Sequence, residues 1–153
     1  MHILFVCLGN ICRSPVADGL LRRKVEENKL DVTVDSAGTI STHAGEAPDP
    51  RMIETAKQRG TEISFLRARQ FTRSDFDKFD LIYVMDESNL SDVLSMARSE
   101  KEQKKVQLVL DLVQIGSEVP DPYYGGQQGF NHVYDLLDEA TNRIIENIKS
   151  ANS

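Results

Sequence analysis

The chain is read as an α/β protein: a doubly wound, Rossmann-like three-layer α/β/α fold with a four-stranded parallel sheet and a functional loop after strand 1. Three observations predict it. Short apolar runs alternate along the chain with segments of helical periodicity. The first run, HILFVC, is almost continuously apolar, as in a strand covered on both faces. And no repeat, low-complexity block or linker interrupts the 153 residues, so residues 1–153 are read as one domain.

HILFVC (2–7) is the first strand, and Val16, Ala17, Leu20, Leu21 and Val25 then share one face of a helix. VTVDSA (32–37) is half polar, as in a strand near a sheet edge. Met52, Ile53 and Ala56 repeat the helical spacing, with Pro48 and Pro50 near the start of that segment. LIYVM (81–85) is the third strand, followed by a helical stripe of Leu90, Val93, Leu94 and Ala97, for which Asp86 is the expected N-cap. VQLVL (106–110) is the fourth strand. The last helix, beginning near residue 129, has the clearest stripe: Val133, Leu136, Leu137, Ala140, Ile144, Ile145 and Ile148. In parallel sheets ligands bind beyond the carboxyl ends of the strands, and Cys7 stands at such an end.

Composition narrows the function. Apolar residues make up 40% of the chain, enough for a core, and no segment approaches the roughly 20 apolar residues of a membrane span. The opening MHILFVC lacks a basic region and runs into polar Gly-Asn, so it reads as a strand and not as a signal peptide. Two cysteines cannot build a disulfide framework, and a cytoplasmic protein is expected. With 24 acidic and 18 basic residues the net charge is −6, which disfavours nucleic acid as a partner. It leaves room for one small anion, because a local site can oppose the global charge.

The stretch CLGNICRSP (7–15) carries the chemistry. A zinc site needs three or four ligands, whereas Cys7 and Cys12 offer two and the histidines at 2, 43 and 132 show no ligand spacing. A redox pair of the C-x-x-C kind does not match the C-x4-C found here. An anion cradle uses every residue. Gly9 and Asn10 tolerate positive φ and let the loop curl with its N–H groups inward. Ser14 is expected to cap the next helix, with Pro15 at its first position, and the helix N-terminus adds partial positive charge. Arg13 brings a planar fork suited to a tetrahedral oxyanion. Cys7 enters from below, where a thiolate would be a nucleophile aimed at phosphorus. A lone Cys in an apolar strand is usually core, but here strand, glycine, arginine and helix start agree. The loop GxxxxGK[ST] of nucleotide triphosphatases is absent. No metal or other cofactor is called for.

At these residues the sequence resembles the low-molecular-weight protein tyrosine phosphatase family. VCLGNICRSPVADG (6–19) is similar to its phosphate-binding signature, DSAGT (35–39) and DPYYGG (121–126) to two further motifs, and FDKFDLIYVMD (76–86) is alike too. The resemblance implies a four-stranded parallel sheet flanked by helices and hydrolysis of phosphotyrosine through a phosphocysteine intermediate. It makes Cys7 the nucleophile, Arg13 the phosphate clamp and Asp121 the general acid. Ser14 would bond the Cys7 sulfur, Asn10 would hold the loop in its curled shape, and Ser36 would steady Asn10. The loop residues Leu8, Gly9, Asn10, Ile11, Cys12 and Arg13 would cradle the phosphate, and Leu8, Tyr123 and Tyr124 would wall the substrate ring. The partner implied is a phosphotyrosine-containing protein, a tyrosine kinase among the candidates, with inorganic phosphate as product.

Physical chemistry supports the acid independently. About 18 residues with little pattern separate the fourth strand from the last helix, and long loops in compact domains are often functional. Asp121 there is stiffened by Pro122, and a phenol of pKa near 10 leaves poorly without a proton. No step of this chemistry needs the second thiol, that of Cys12. It reads either as inert packing or as a redox partner that captures oxidised Cys7 as a Cys7–Cys12 disulfide. Two departures from the family stand out. Thr42 precedes His43 where bacterial-type relatives carry an aromatic residue, so one wall of the cleft is expected to be lower. Ile11 stands where arginine phosphatases of the family carry threonine. The rival readings are an arginine phosphatase, a thiol-dependent arsenate reductase, a phosphocysteine carrier domain and a phosphotyrosine-binding module without activity. Only two cysteines, with Arg13 and Asp121 intact, weigh against the last three.

Overall fold

The computed structural model describes residues 1–123 and 126–152. Four strands, β1 (His2–Cys7), β2 (Thr33–Gly38), β3 (Leu81–Val84) and β4 (Val106–Leu108), form one sheet in the order β2-β1-β3-β4. All three pairings are parallel, so β1 lies in the interior and β2 at an edge, as the polarity of each had suggested. The register sets Cys7 opposite Gly38 and Val6 opposite Val84. The carboxyl ends of β1, β2 and β3 thus arrive together on one side of the sheet.

Side chains of a strand alternate between faces, and β1 shows how two helical layers follow. Ile3, Phe5 and Cys7 join one apolar cluster, Leu4 and Val6 the other. The first cluster holds the buried faces of α1 (Arg13–Glu27), α2 (Pro50–Gln58) and α6 (Gln127–Asn152), including Leu20, Leu21, Met52, Leu137 and Ile144. The second holds Phe76 of α3 (Asp75–Lys78) and Val93 of α4 (Glu87–Met96). A further turn, α5 (Glu100–Gln103), precedes β4. α1 and α6 are also joined by a polar tie: the Lys24 ammonium donates to the Asp138 carboxylate at 2.7 Å, its carbonyl at 2.8 Å and Thr141 Oγ1 at 2.7 Å. All three of its hydrogens are thereby used. Among the described residues, no helix is long and apolar enough to cross a membrane.

Several boundaries differ from the sequence pattern. β4 ends at Leu108, and Val109–Leu112 winds into a 3-10 helix. Val109 and Leu110 both reach the α1–α6 cluster, which adjacent residues of a strand cannot do. α1 begins at Arg13, with Cys12 as the N-cap residue and Ser14 already inside the first turn. Ser14 does not cap because its hydroxyl is engaged by Cys7 and Asn10. The short helices α3 and α5 span four residues each and leave too little periodicity to detect.

Gly38 joins the sheet to the loop above it. Its N–H donates to the Arg69 carbonyl at 2.8 Å and its own carbonyl accepts from Phe71 at 2.7 Å. A β-carbon at this position would lie 2.8 Å from the Leu8 carbonyl oxygen and 3.1 Å from the Gly9 carbonyl carbon. Both are backbone atoms that cannot swing aside. Gly38→Ala is therefore predicted to destabilise the fold by about 1–3 kcal/mol, as overpacking does, read as a lower midpoint in chemical denaturation.

Candidate active site

Residues 7–13 carry the chain from β1 into α1 and curl through Asn10, whose φ of 59° lies in the left-handed region. Gly9 does not take positive φ; what it provides is room, since a β-carbon there would meet His43 Cδ2 at 3.1 Å. The Asn10 side chain fixes the curl from both ends. Its Oδ1 accepts the Arg69 N–H at 3.1 Å and its Nδ2 donates to Ser14 Oγ at 2.7 Å. Because a backbone N–H can only donate, this orientation of the amide is the one that satisfies both partners. The Ser14 proton is then available to Cys7 Sγ, 3.0 Å away. Asn10 N–H donates to the same sulfur at 3.3 Å. The buried Cys7 sulfur thus faces two donors.

Arg13 is 3% exposed. Its Nη1 donates to Asp86 Oδ2 at 2.7 Å and to the Val119 carbonyl at 3.0 Å, while Nη2 stands 3.8 Å from Asp121 Oδ2. Burial works against its charge, but the neighbouring Cys7 and Asp86 overcome this and raise its pKa further. Asp86 follows β3 and has two duties. Its Oδ1 accepts from Asn89 N–H at 2.8 Å as the α4 N-cap, and its Oδ2 grips Arg13. The cap was legible in the sequence, whereas the ion pair was not. The signal that could have found it is an aspartate ending a strand adjacent to β1.

Asp121 lies in the segment after the 3-10 helix. That segment is tied to the end of β3 by Val119 N–H on the Met85 carbonyl at 2.8 Å. Asp121 Oδ1 accepts the Tyr123 N–H at 3.0 Å, and the side chain is 41% exposed. Cys7, Arg13 and Asp121 border one cleft of about 220 Å³. Leu8, Ile40 and Tyr123 form its rim at 40%, 39% and 36% exposure. Gly9, Ile11 and Cys12 line it too, and so does His43, whose Nδ1 sits 3.0 Å from Glu46 Oε2. Ile40 and His43 therefore stand on the side where Thr42 had suggested a lower wall. Neither placement was legible in the sequence, since a polar loop leaves no periodicity to read.

Three expectations need comment. Ser36 makes no hydrogen bond to Asn10: burial pushes the Asp18 carboxylate of α1 up, and the Ser36 hydroxyl, after Arg22, opposes that shift by favouring the charged form. The side-chain partners of Asn10 are Ser14 and the Arg69 backbone. Cys12 is buried at the head of α1. Burial, and then the nearby charges of Asp49, Cys7 and Asp121, push its thiol far up, so it stays protonated at neutral pH. Tyr124 lies outside the described residues. Among the described residues, no group of three or more His, Cys, Asp or Glu side chains is placed to hold a metal.

The chain matches the family model described as low molecular weight phosphotyrosine protein phosphatase over residues 2–153. A Synechocystis protein, provisionally named a low molecular weight protein-tyrosine-phosphatase, is 45% identical over 97% of this chain and 96% of its own. Among solved structures, a protein tyrosine phosphatase from Entamoeba histolytica superposes with a TM-score of 0.93 at 38% identity, covering 100% of this chain and 99% of its own. An arginine phosphatase of Drosophila is also similar, with a TM-score of 0.89 at 36% identity and coverage of 97% and 98%. Over almost its full length, then, the chain belongs to the low molecular weight phosphotyrosine protein phosphatase family.

Proposed function

We propose that this protein hydrolyses phosphotyrosine in protein substrates through a phosphocysteine intermediate. The observation that carries the reading is the floor of the cleft, where the Cys7 sulfur faces two hydrogen-bond donors beside the buried guanidinium of Arg13. Family membership supports it. The phosphate would lie in the curl of residues 8–13, its oxygens on loop N–H groups and the Arg13 fork. The Cys7 thiolate attacks phosphorus, the bond from phosphorus to the phenol oxygen breaks, and Asp121 gives that oxygen its proton. Asp121 then takes a proton from water, which attacks the phosphocysteine. Cys7 leaves with the Ser14 hydroxyl on its sulfur, and inorganic phosphate is released. Leu8, Ile40 and Tyr123 offer the substrate ring an apolar rim. Residues 1–153 act as one domain in the cytoplasm, and a tyrosine kinase is one partner of suitable chemistry.

The likeness to an arginine phosphatase makes that activity the rival to test. Ile11, which lines the cleft, places an apolar side chain where those enzymes carry threonine and suits an aryl substrate better than a guanidinium. Rates on phosphotyrosine and phosphoarginine peptides separate the two.

Cys12, a neutral thiol close to Cys7, can also protect it. Peroxide oxidises Cys7 to sulfenic acid and is itself reduced to water; the Cys12 sulfur then attacks the Cys7 sulfur as its proton passes to the departing hydroxyl, releasing a second water and leaving a disulfide that thiols reduce.

Three outcomes test these readings. Cys7→Ser abolishes turnover yet keeps oxyanion binding, since the cradle is backbone and Arg13; steady-state hydrolysis by the variant would contradict the nucleophile assignment. Asp121→Asn lowers kcat/KM by about 10²–10⁴ for phenyl phosphates with basic leaving groups and much less for those with good ones. An equal loss along the series would remove Asp121 as the acid. Cys12→Ser, active when reduced, recovers less than the parent when dithiothreitol follows peroxide. Equal recovery, with no Cys7–Cys12 peptide in mass spectra of the oxidised parent, would leave Cys12 as packing.

A further inference from the structure

Arg51, at the start of α2, makes contacts that neither helix formation nor the chemistry above explains. Asp49 precedes it as the N-cap residue of α2, and its Oδ1 accepts the Arg51 N–H at 2.8 Å. That cap needs only the backbone of Arg51. The guanidinium goes further. Its Nε donates to Asp49 Oδ1 at 3.1 Å and its Nη2 to Asp49 Oδ2 at 2.8 Å, while the same Nη2 donates to the Tyr123 carbonyl at 3.0 Å. It also lies over two rings, 4.7 Å from the centroid of Phe130 and 5.5 Å from that of Tyr123.

Both ends of this contact lead to the cleft. On one side, Asp49 is buried and its N–H donates to the Ile11 carbonyl at 2.8 Å, inside the phosphate-binding loop. On the other, the Tyr123 N–H donates to Asp121 Oδ1 at 3.0 Å. A continuous path of short polar contacts therefore runs from Ile11 through Asp49, Arg51 and Tyr123 to Asp121. Phe130, fully buried in α6, gives the guanidinium a fixed base. A second tie, Gln127 Nε2 on Thr55 Oγ1 at 2.7 Å, fastens the start of α6 to the same helix α2.

We propose that Arg51 is a positioning residue for the proton donor: it fixes the segment carrying Asp121 to the phosphate-binding loop, so that acid and nucleophile are held in one frame. The inference rests on Asp121 being the general acid. Asp121 is 41% exposed, and the chain around it follows no regular element. On its C-terminal side the carboxylate is held through the Tyr123 N–H, so its aim depends on where the chain at Tyr123 is placed. A planar fork that bridges Asp49 and a carbonyl while stacked on a buried ring supplies that placement, and a lysine cannot reproduce the geometry. Misplacement of a reacting group by an ångström is enough to lose on the order of 10²-fold in rate.

The test measures kcat/KM over a series of substituted phenyl phosphates for the parent, Arg51→Met, Asp121→Asn and the double variant. Arg51→Met is expected to lose roughly 10- to 100-fold on phenyl phosphate and under about two-fold on dinitrophenyl phosphate, whose leaving group needs no proton. In the double variant the loss on phenyl phosphate is expected to be no greater than in Asp121→Asn alone, since positioning matters only while there is an acid to position. A uniform loss by Arg51→Met across the series, or losses that multiply in the double variant, would show that Arg51 merely supports α2 or the rim and would overturn the proposal. If Asp121→Asn itself shows no dependence on the leaving group, the acid assignment falls first and takes the proposal with it. Should the methionine variant lose its cooperative unfolding transition, Arg51→Lys is read in the same series by the same criteria.

Discussion

A guanidinium that is 3% exposed cannot stand alone in a protein interior, and Arg13 organises the site through this constraint. Leaving such a charge without its partner costs about 3–5 kcal/mol, so the partners must be supplied by structure that is already fixed. They come from two other parts of the chain. Asp86 is delivered by the end of β3, which is hydrogen-bonded to β1, and Val119 by the segment after β4. Val119 is in turn tied by its N–H to Met85, next to Asp86. Pairing Arg13 thus draws the segment that carries Asp121 over the end of the sheet and brings its carboxylate to 3.8 Å from the same guanidinium.

The two thiols of the loop show how local partners sort chemically identical groups. Both are buried and belong to one apolar cluster. Cys7 ends a strand beneath the curl, where the Asn10 N–H and the Ser14 hydroxyl converge on its sulfur. Cys12 sits at the head of the helix, where burial keeps it protonated and the carboxylates of Asp49 and Asp121 add to the effect. The division is made by the left-handed Asn10. Its backbone turns an N–H toward one sulfur, and its side chain orders the serine that serves the same sulfur.

The sheet was legible in the sequence because its central strand is covered on both sides and has no polar face to confuse the pattern. α1 and α6 were legible because one face of each reaches the core. What escaped was structure made by non-local partners. Val109 and Leu110 continue an apolar run, yet both turn to the α1–α6 side and break the strand. The Arg69 N–H that holds Asn10 comes from the irregular chain between α2 and α3, which has no period to read. Ser14 and Pro15 look like a helix start by composition, but the sulfur of Cys7 claims the hydroxyl and the helix begins earlier. The cysteine, arginine and aspartate of the site were visible because their chemistry is rare in such a setting. Ser36 was assigned a partner with which it shares no hydrogen bond, since a sequence motif does not say which atoms meet.

The net charge of −6 gives the cleft its last constraint. A phosphate dianion approaching this molecule meets an opposed long-range field, so steering cannot supply its capture. Recognition must then come at contact, from a cation and dipoles that water does not screen. Charges separated by more than the Debye length, about 10 Å at 0.1 M salt, contribute little in any case. A buried arginine oriented by Asp86, and a loop whose curl is fixed by the Asn10 side chain, meet that requirement. The same two features also limit what can enter. The rim of Leu8, Ile40 and Tyr123 is apolar, so a phosphate carried on an aromatic ring gains at both ends, whereas a free anion gains only at the floor.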